Sequence, residues 1–329
     1  MANLVRVGIA GTGSYVPDRV VPNAHFEAFL DTSDEWIVQR TGIKNRRWAA
    51  PGQQTSQMAT AAARKACEMA KVKPEELDLI VLGTLTPDHL LPSTSSLVQR
   101  DLGAVNAATF DVNAACTGFL TAMSAGEAFI ASGRYKRVLA IGAETLSRFL
   151  DFKDRGSCIL FGDGAGAALL TPWDDCRQGE ILKSKLGADG RGYELIHMRA
   201  GGSARPASHA TVDAGEHFIR VQGREVFRFA VERMGTLLEE MVDGYPRSEV
   251  CVVVPHQVNR RIIDAALERM GWTDEKVVVN IQDFGNTSAA SVPIALDQAV
   301  RTGRMEKGKL VIIVAFGAGL TWGAALVRW

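Results

Sequence analysis

The sequence predicts an α/β fold of two pseudo-symmetric halves layered helix, sheet, helix, sheet, helix. Three observations carry this. The same order of apolar strands and helices runs twice along the chain, a small-residue segment opens a central helix at the matching point of each pass, and the strands are near-continuous apolar runs. Such runs are expected of strands covered by helices on both faces. With 329 residues the chain suits one large or two fused domains. It needs no disulfide or metal staple to bury a sizeable core.

In the first pass a helix over Ser56–Ala70 leads into the strand DLIVLGT (78–84), then a short helix ending at Leu102-Gly103. An extended ATFDVNAA (108–115) follows, then Cys116, the helix TGFLTAMSAGEAFI and the strand RVLAIGAE. The second pass has a helix over Arg224–Val242, the strand EVCVVVP (249–255) and a helix from Arg260 to Met270. It continues through an extended VVVNIQDFG (277–285), Asn286, the helix TSAASVPIALDQAV and the strand KLVIIVAF. Cys116 to Gly133 and Asn286 to Gly303 are each 17 residues, so the alignment makes Asn286 the counterpart of Cys116. The boundary falls near Pro172–Gly179, giving halves 1–172 and 173–329. Long insertions lie between Pro17 and Thr55 and between Gly187 and Val221, where unpatterned loops often bind ligands.

Composition narrows the function. Thirty-seven basic residues balance thirty-seven acidic ones, so no global field draws in nucleic acid or an anionic membrane. The five cysteines are odd in number and widely spaced, without a CxxC or Cys/His cluster. This argues against a disulfide framework and a structural zinc, and suits a reducing, cytoplasmic setting. The N-terminus reads as a first strand and not as a signal peptide. Leu310–Val327 is eighteen residues without a charge, long enough for a membrane span. β-branched residues and the Gly317-Ala318-Gly319 break favour two buried strands instead.

Three positions carry chemistry. Cys116 sits where an extended segment turns into a helix, whose free N–H groups and dipole favour thiolate. On its own such a cysteine is equally an inert buried thiol. His256 leaves the apolar strand VVVP, at the strand end where ligand groups collect in α/β proteins, although a capping histidine also fits there. Asn286 would serve as an ordinary N-cap, but its match to Cys116 in the repeat asks for more. A Cys, a His and an Asn facing one crevice suit acyl transfer. FGDGAGA (161–167) lacks GxGxxG spacing and does not follow the first strand, so close packing is the better reading than nucleotide binding.

Over essentially its whole length the sequence resembles the β-ketoacyl-acyl-carrier-protein synthase III family of the thiolase superfamily. The resemblance rests on TSDEWIVQRTGI (32–43), DVNAACTGF (111–119), DRGSCILFGDGAGA (154–167), PHQVNRRI (255–262), GNTSAASVP (285–293) and FGAGLTWGAALV (316–327). It implies a thiolase-like, five-layered αβαβα homodimer that initiates type II fatty acid synthesis, with acyl-CoA and malonyl-acyl-carrier protein as substrates and no cofactor or metal. Cys116 is then the acylated nucleophile, and His256 and Asn286 stabilise the enolate formed by decarboxylation. The backbone N–H groups of Cys116 and Ala318 form the oxyanion hole, with alanine where the family often has glycine. Trp36 and Arg155 would stack on the CoA adenine, while Arg40, Asn259 and Arg261 hold its phosphates and pantetheine. Arg228, Arg260, Arg261 and Arg269 would meet an acidic carrier protein. Leu91, where the family often has Phe, would floor the partner's acyl tunnel and leave room for longer or branched primers.

Relatives with the same three residues act in secondary metabolism, and motifs do not separate them from a housekeeping synthase. The insertion 187–217 is where such differences would lie. A degradative thiolase would carry a second cysteine in a CxG context near the C-terminus, which is missing, and a non-catalytic partner subunit would lack the nucleophile.

Overall fold

A computed structural model describes residues 4–329. The first half forms five strands: β1 (Val7–Tyr15), β2 (Leu79–Gly83), β3 (Ala108–Val112), β4 (Val138–Thr145) and β5 (Asp163–Pro172). They lie in the order β3-β2-β4-β5-β1, with β2 parallel to β3 and β4, and β5 antiparallel to β4 and β1. The second half repeats the pattern with β6 (Glu180–Ala188), β7 (Val250–Pro255), β8 (Leu310–Gly317) and β9 (Thr321–Arg328) in the order β7-β8-β9-β6. The uncharged 310–327 run is the antiparallel hairpin β8–β9. Among the described residues, no helix is long and apolar enough to cross a membrane.

Two departures from the sequence reading concern this sheet. The sheets of the two halves are not detached, because the single pair Gly8 of β1 with Glu180 of β6 links them edge to edge in one order of nine strands. The 277–285 segment is not a strand: only Val277 bridges to Val253, and the chain then turns into the short helix Ile281–Phe284. The Gln257 amide explains this, since its Oε1 accepts from the N–H groups of Asn280 and Ile281 and removes them from any ladder.

Period-two alternation sorts the strand residues into layers. Leu79, Val81, Val138, Ala140, Val252, Val254, Val311 and Ile313 face inward on helices α4 (Gly118–Ala131) and α7 (Ser291–Arg301). The intervening Ile80, Leu82, Leu139 and Ile141 face α2 (Thr55–Ala70) and α3 (Thr94–Leu102). Val253, Leu310, Ile312 and Val314 face α5 (Gly223–Val242) and α6 (Arg260–Met270) on the far side. The result is five layers, helix, sheet, helix, sheet, helix. Small residues let the central helices approach: a Cβ at Gly142 would lie 2.1 Å from the Ala289 carbonyl, and one at Gly83 2.3 Å from Gly118. The glycines of 161–167 serve the same purpose, with Gly166 of β5 packed on Pro293 of α7.

The first insertion folds as a ribbon, Val20–Pro22 against Asn45–Arg47, with α1 (Asp34–Thr41) between its strands. Ser33 caps α1 by accepting from the Trp36 N–H. The fully buried Arg46 ties the insertion to the body through Val21 O, Asn23 Oδ1 and Ile159 O. The second insertion extends β6, then adds the pair Ile196–His197 with Arg220–Val221 and the short helix His209–Asp213.

Candidate active site

Cys116 lies in the 3-10 turn Ala115–Thr117, just before α4. The turn is sharp: Ala115 has φ +47°, a left-handed conformation that alanine adopts at some cost. The second half makes the same turn at Ser288–Ala290, before α7, with Ser288 at φ +49°. Matching these two residues pairs Cys116 with Ala289, not with Asn286 as the spacing suggested. The 17-residue coincidence arises because α7 has 11 residues where α4 has 14, which shifts the count by one turn. Asn286 precedes this turn and still reaches the same crevice.

His256 follows β7 and donates its backbone N–H to Val314 O at 2.8 Å, which fixes it to β8. Its ring is buried, with Phe316 set edge-on at 5.7 Å. Nδ1 lies 2.6 Å from Ser291 Oγ, and that oxygen already accepts from the Gln257 N–H. We assign the Ser291 hydroxyl as the donor to Nδ1, which puts the ring's own hydrogen on Nε2. Nε2 has no partner in the protein and belongs to a residue lining the cleft. Burial pulls the ring's pKa down to about 3, so it is neutral at physiological pH.

Asn286 is anchored on both backbone groups, donating to Leu160 O and accepting from the Gly162 N–H. Its Oδ1 accepts from the Ser288 N–H at 2.8 Å. This settles which way the amide faces and leaves Nδ2 for the cleft. Two N–H donors, His256 Nε2 and Asn286 Nδ2, therefore border one cleft with the Cys116 sulfur. The cleft has a volume of about 70 Å³ and, besides Ser288, is otherwise lined by apolar side chains including Leu85, Leu146, Phe161 and Phe229.

The Cys116 thiol departs from the sequence expectation. Its pKa is pushed up to about 12, chiefly by burial, with the Ser288 hydroxyl and a backbone N–H lowering it and the Glu144 carboxylate raising it. The cysteine's partial exposure is to the apolar cleft rather than to bulk water, so desolvation outweighs the helix start. The resting group is a thiol. Sequence reasoning also missed Ser288, Ser291 and Glu144. Only Glu144 left a signal, as an acidic residue closing the otherwise apolar, wholly buried strand VLAIGAET.

Ala318 follows β8 and lines the cleft with Gly317, where a Cβ would lie 2.8 Å from the Cys116 nitrogen. The turn that carries Cys116 and the turn that carries Ala318 are thus in contact. Thr321 Oγ1 bridges them, 2.9 Å from Ala318 O, 3.1 Å from Ala114 O and 2.9 Å from Thr117 Oγ1.

Outside the cleft the guanidinium groups of Arg40 and Arg155 both lie over the Trp36 ring, 4.5 and 4.7 Å from its centroid. Arg155 also donates to Asp31 O. Asn259 caps α6, accepting from the Arg261 N–H, and donates to Arg40 O at 3.0 Å, so these five residues form one surface. Val258, the neighbour of Asn259, lines the cleft. Of the four arginines expected to meet a carrier protein, Arg260 is paired with Asp264 and Asp274, and Arg269 with Glu239. Arg228 and Arg261 are exposed and form no ion pair among the described residues. Leu91 and Leu90 stand in solvent, 87% and 90% exposed, beside the edge strand β3.

Comparison with known proteins gives this geometry its place. The family described as 3-oxoacyl-[acyl-carrier-protein] synthase III matches residues 110–190, and its C-terminal counterpart matches 242–329. β-Ketoacyl-[acyl-carrier-protein] synthase III of Caldanaerobacter subterraneus is 48% identical, covering 100% of this chain and 99% of that protein. The Desulfitobacterium hafniense protein of the same description is 51% identical over 99% and 98%. The crystal structure of 3-oxoacyl-[acyl-carrier-protein] synthase III from Aquifex aeolicus superposes with a TM-score of 0.90 at 46% identity, over 98% of this chain and 100% of that one. The priming β-ketosynthase of the R1128 polyketide pathway superposes at 0.91 with 36% identity, over 100% and 98%. With its thiolase-like fold, the chain belongs to the β-ketoacyl-acyl-carrier-protein synthase III family, the acyltransferases that act as condensing enzymes of fatty acid synthesis.

Proposed function

We propose that the chain joins an acyl-CoA primer to malonyl-acyl-carrier protein through an acyl-cysteine, in a ping-pong sequence that releases CoA before malonyl binds. The observation that carries this is the cleft itself, where one thiol and two outward N–H donors meet in an apolar enclosure. Cys116 Sγ attacks the primer's thioester, and the backbone N–H groups of Cys116 and Ala318 receive the oxyanion. Malonyl then loses carbon dioxide while His256 Nε2–H and Asn286 Nδ2–H hold the enolate oxygen. A neutral histidine suits that task, because it donates without needing to titrate. In this reading residues 1–172 supply the nucleophile, and 173–329 supply the two donors.

The adenine of CoA takes the place of Arg155 on one face of Trp36, and Arg40, Asn259 and Arg261 receive the phosphates and pantetheine. Arg228 and Arg261, which lack carboxylate partners among the described residues, are the better candidates to meet an acidic carrier protein than Arg260 or Arg269. The exposed Leu90-Leu91 pair beside the β3 edge supports a homodimer in which Leu91 reaches the partner's tunnel. A second reading, a priming synthase for a different acceptor, draws on the likeness to the R1128 enzyme.

Intact mass after incubation with acyl-CoAs from acetyl to long-chain tests the proposal, with Cys116→Ser alongside. A thioester-labile adduct on the wild type alone is expected, and its preferred acyl group separates the two readings. No adduct with any acyl-CoA would overturn both.

A further inference from the structure

The acyl-cysteine reading leaves the thiol proton without a destination. His256 cannot take it at Nε2, which already carries a hydrogen because Ser291 occupies Nδ1. Asn286 has no basic site. Ser288 lines the cleft together with Cys116, and its hydroxyl donates to Glu144 Oε1 at 3.2 Å.

Glu144 is unusual in its own right. It is 0% exposed at the end of β4, and no arginine or lysine pairs with it among the described residues. Four groups besides Ser288 hold it, all neutral: the Thr86 hydroxyl at 2.6 Å, the Thr84 hydroxyl at 3.2 Å, and the N–H groups of Leu85 and Thr86 at 3.2 Å. A buried carboxylate without a cation is costly, and hydrogen bonds offset that cost only in part. Burial brings its pKa up to about 7, despite the lowering by these donors. It can therefore hold or release a proton near neutrality.

We propose that Glu144 stores the Cys116 proton, passed through the Ser288 hydroxyl, for as long as the acyl group is on the sulfur. In acylation the Cys116 S–C bond forms and the primer's bond to the CoA sulfur breaks. The thiol proton moves to Ser288 Oγ as the serine's own proton moves to Glu144 Oε1, and the CoA thiolate leaves and is protonated by solvent. In condensation the C–C bond forms and the Cys116 S–C bond breaks, and the stored proton returns through Ser288 to the sulfur. The cycle takes up one proton from solvent, as loss of carbon dioxide from a carboxylate requires. Glu144 acts through Ser288 and touches no substrate, so it is a positioning residue for the proton.

The test is the rate of Cys116 acylation against pH, read by rapid-quench intact mass with the best acyl-CoA of the panel, for wild type, Glu144→Gln, Ser288→Ala and the double variant. Glu144 must be ionised to accept, so wild-type acylation should fall as pH drops through about 7. Both single variants should lose this acid limb and acylate about 100-fold more slowly, the scale of a lost general base. The double variant should be no slower than either single one, because the two act as a unit. Ser288→Ala keeps the backbone N–H that orients Asn286, so it decides the matter even where Glu144→Gln fails to fold. Infrared difference spectra of acylated minus free enzyme should add a protonated-carboxyl band that shifts in heavy water and is absent from Glu144→Gln. A wild-type acid limb in Ser288→Ala, or no such band in the wild type, would overturn the proposal while leaving the acyl-cysteine intact. Failure of the wild type to acylate at all would remove both.

Discussion

Ser291 Oγ lies 2.6 Å from Nδ1 of His256, and the second nitrogen of that ring is left without a protein partner on the cleft. With the Ser291 hydroxyl assigned as donor, this contact leaves Nε2–H free to donate to an enolate oxygen. Ser291→Ala should therefore slow release of carbon dioxide from malonyl-acyl-carrier protein by about tenfold, the worth of one charge-assisted hydrogen bond. Acylation of Cys116 should be unchanged. Single-turnover measurement of the two half-reactions separates them, and equal loss in both would argue for general collapse of the site.

The same ring sets a pH expectation. Its pKa is depressed to about 3, and the neutral form is the working one, so protonation removes function only as pH falls toward that value. The decarboxylation half-reaction should show no ionisation near 6.5, the ordinary histidine range. Nitrogen NMR of labelled His256 should report the Nε2–H tautomer from pH 5 to 9. An imidazolium signal at pH 6 would contradict this assignment.

The order of strands and helices and the hairpin at the C-terminus were legible in the sequence because each rests on local pattern, while the meeting of Cys116, His256 and Asn286 at one cleft was legible only through the family motifs. Continuous apolar strands, helix periods and glycine stops are written within ten or twenty residues. What was not legible depends on side chains that meet from distant positions. Glu144 and Ser288 are 144 residues apart in sequence, and neither stands in a motif that points to the other. Residue counting misplaced the partner of Cys116 because helix length differs between the halves, whereas the left-handed residues Ala115 and Ser288 fix the register directly. The thiolate expectation considered the helix start alone and could not weigh the desolvation of an apolar cleft.

The Arg40 and Arg155 guanidinium groups lie 4.5 and 4.7 Å from the Trp36 ring, and in the proposed function the CoA adenine exchanges with Arg155 there. Trp36→Ala should raise KM for acyl-CoA about tenfold through lost stacking. The rate of the malonyl half-reaction, measured on pre-acylated enzyme, should stay within about twofold because the adenine has left by then. A change in both would place Trp36 in the core of the fold rather than at a CoA site.

Ala318 has no left-handed backbone, so alanine serves as well as glycine there and its N–H is retained. Ala318→Gly should keep acylation within about twofold and cost about 0.5–1 kcal/mol of stability through added chain freedom. Ala318→Pro removes the N–H and should lower acylation about 100-fold, the scale of one lost oxyanion donor. If the proline variant acylates normally and is folded by circular dichroism, the oxyanion rests elsewhere.

Thr321 ties together the two turns whose N–H groups we propose for the oxyanion, since its hydroxyl touches Ala318 O, Ala114 O and Thr117 Oγ1. Valine has the same shape and none of these bonds. Thr321→Val should cost about 1–2 kcal/mol of stability, because a buried carbonyl loses a donor. Acylation should slow about tenfold as the Cys116 and Ala318 N–H groups drift apart, a geometric loss that needs less than an ångström. Decarboxylation depends on His256 and Asn286, which Thr321 does not touch, and should be spared. Thr321→Ser keeps the hydroxyl and should restore acylation. Denaturant melts and single-turnover acylation on the same samples distinguish this clamp from a merely structural threonine. Loss of stability in the valine variant with wild-type acylation would show that the two turns hold their alignment without it.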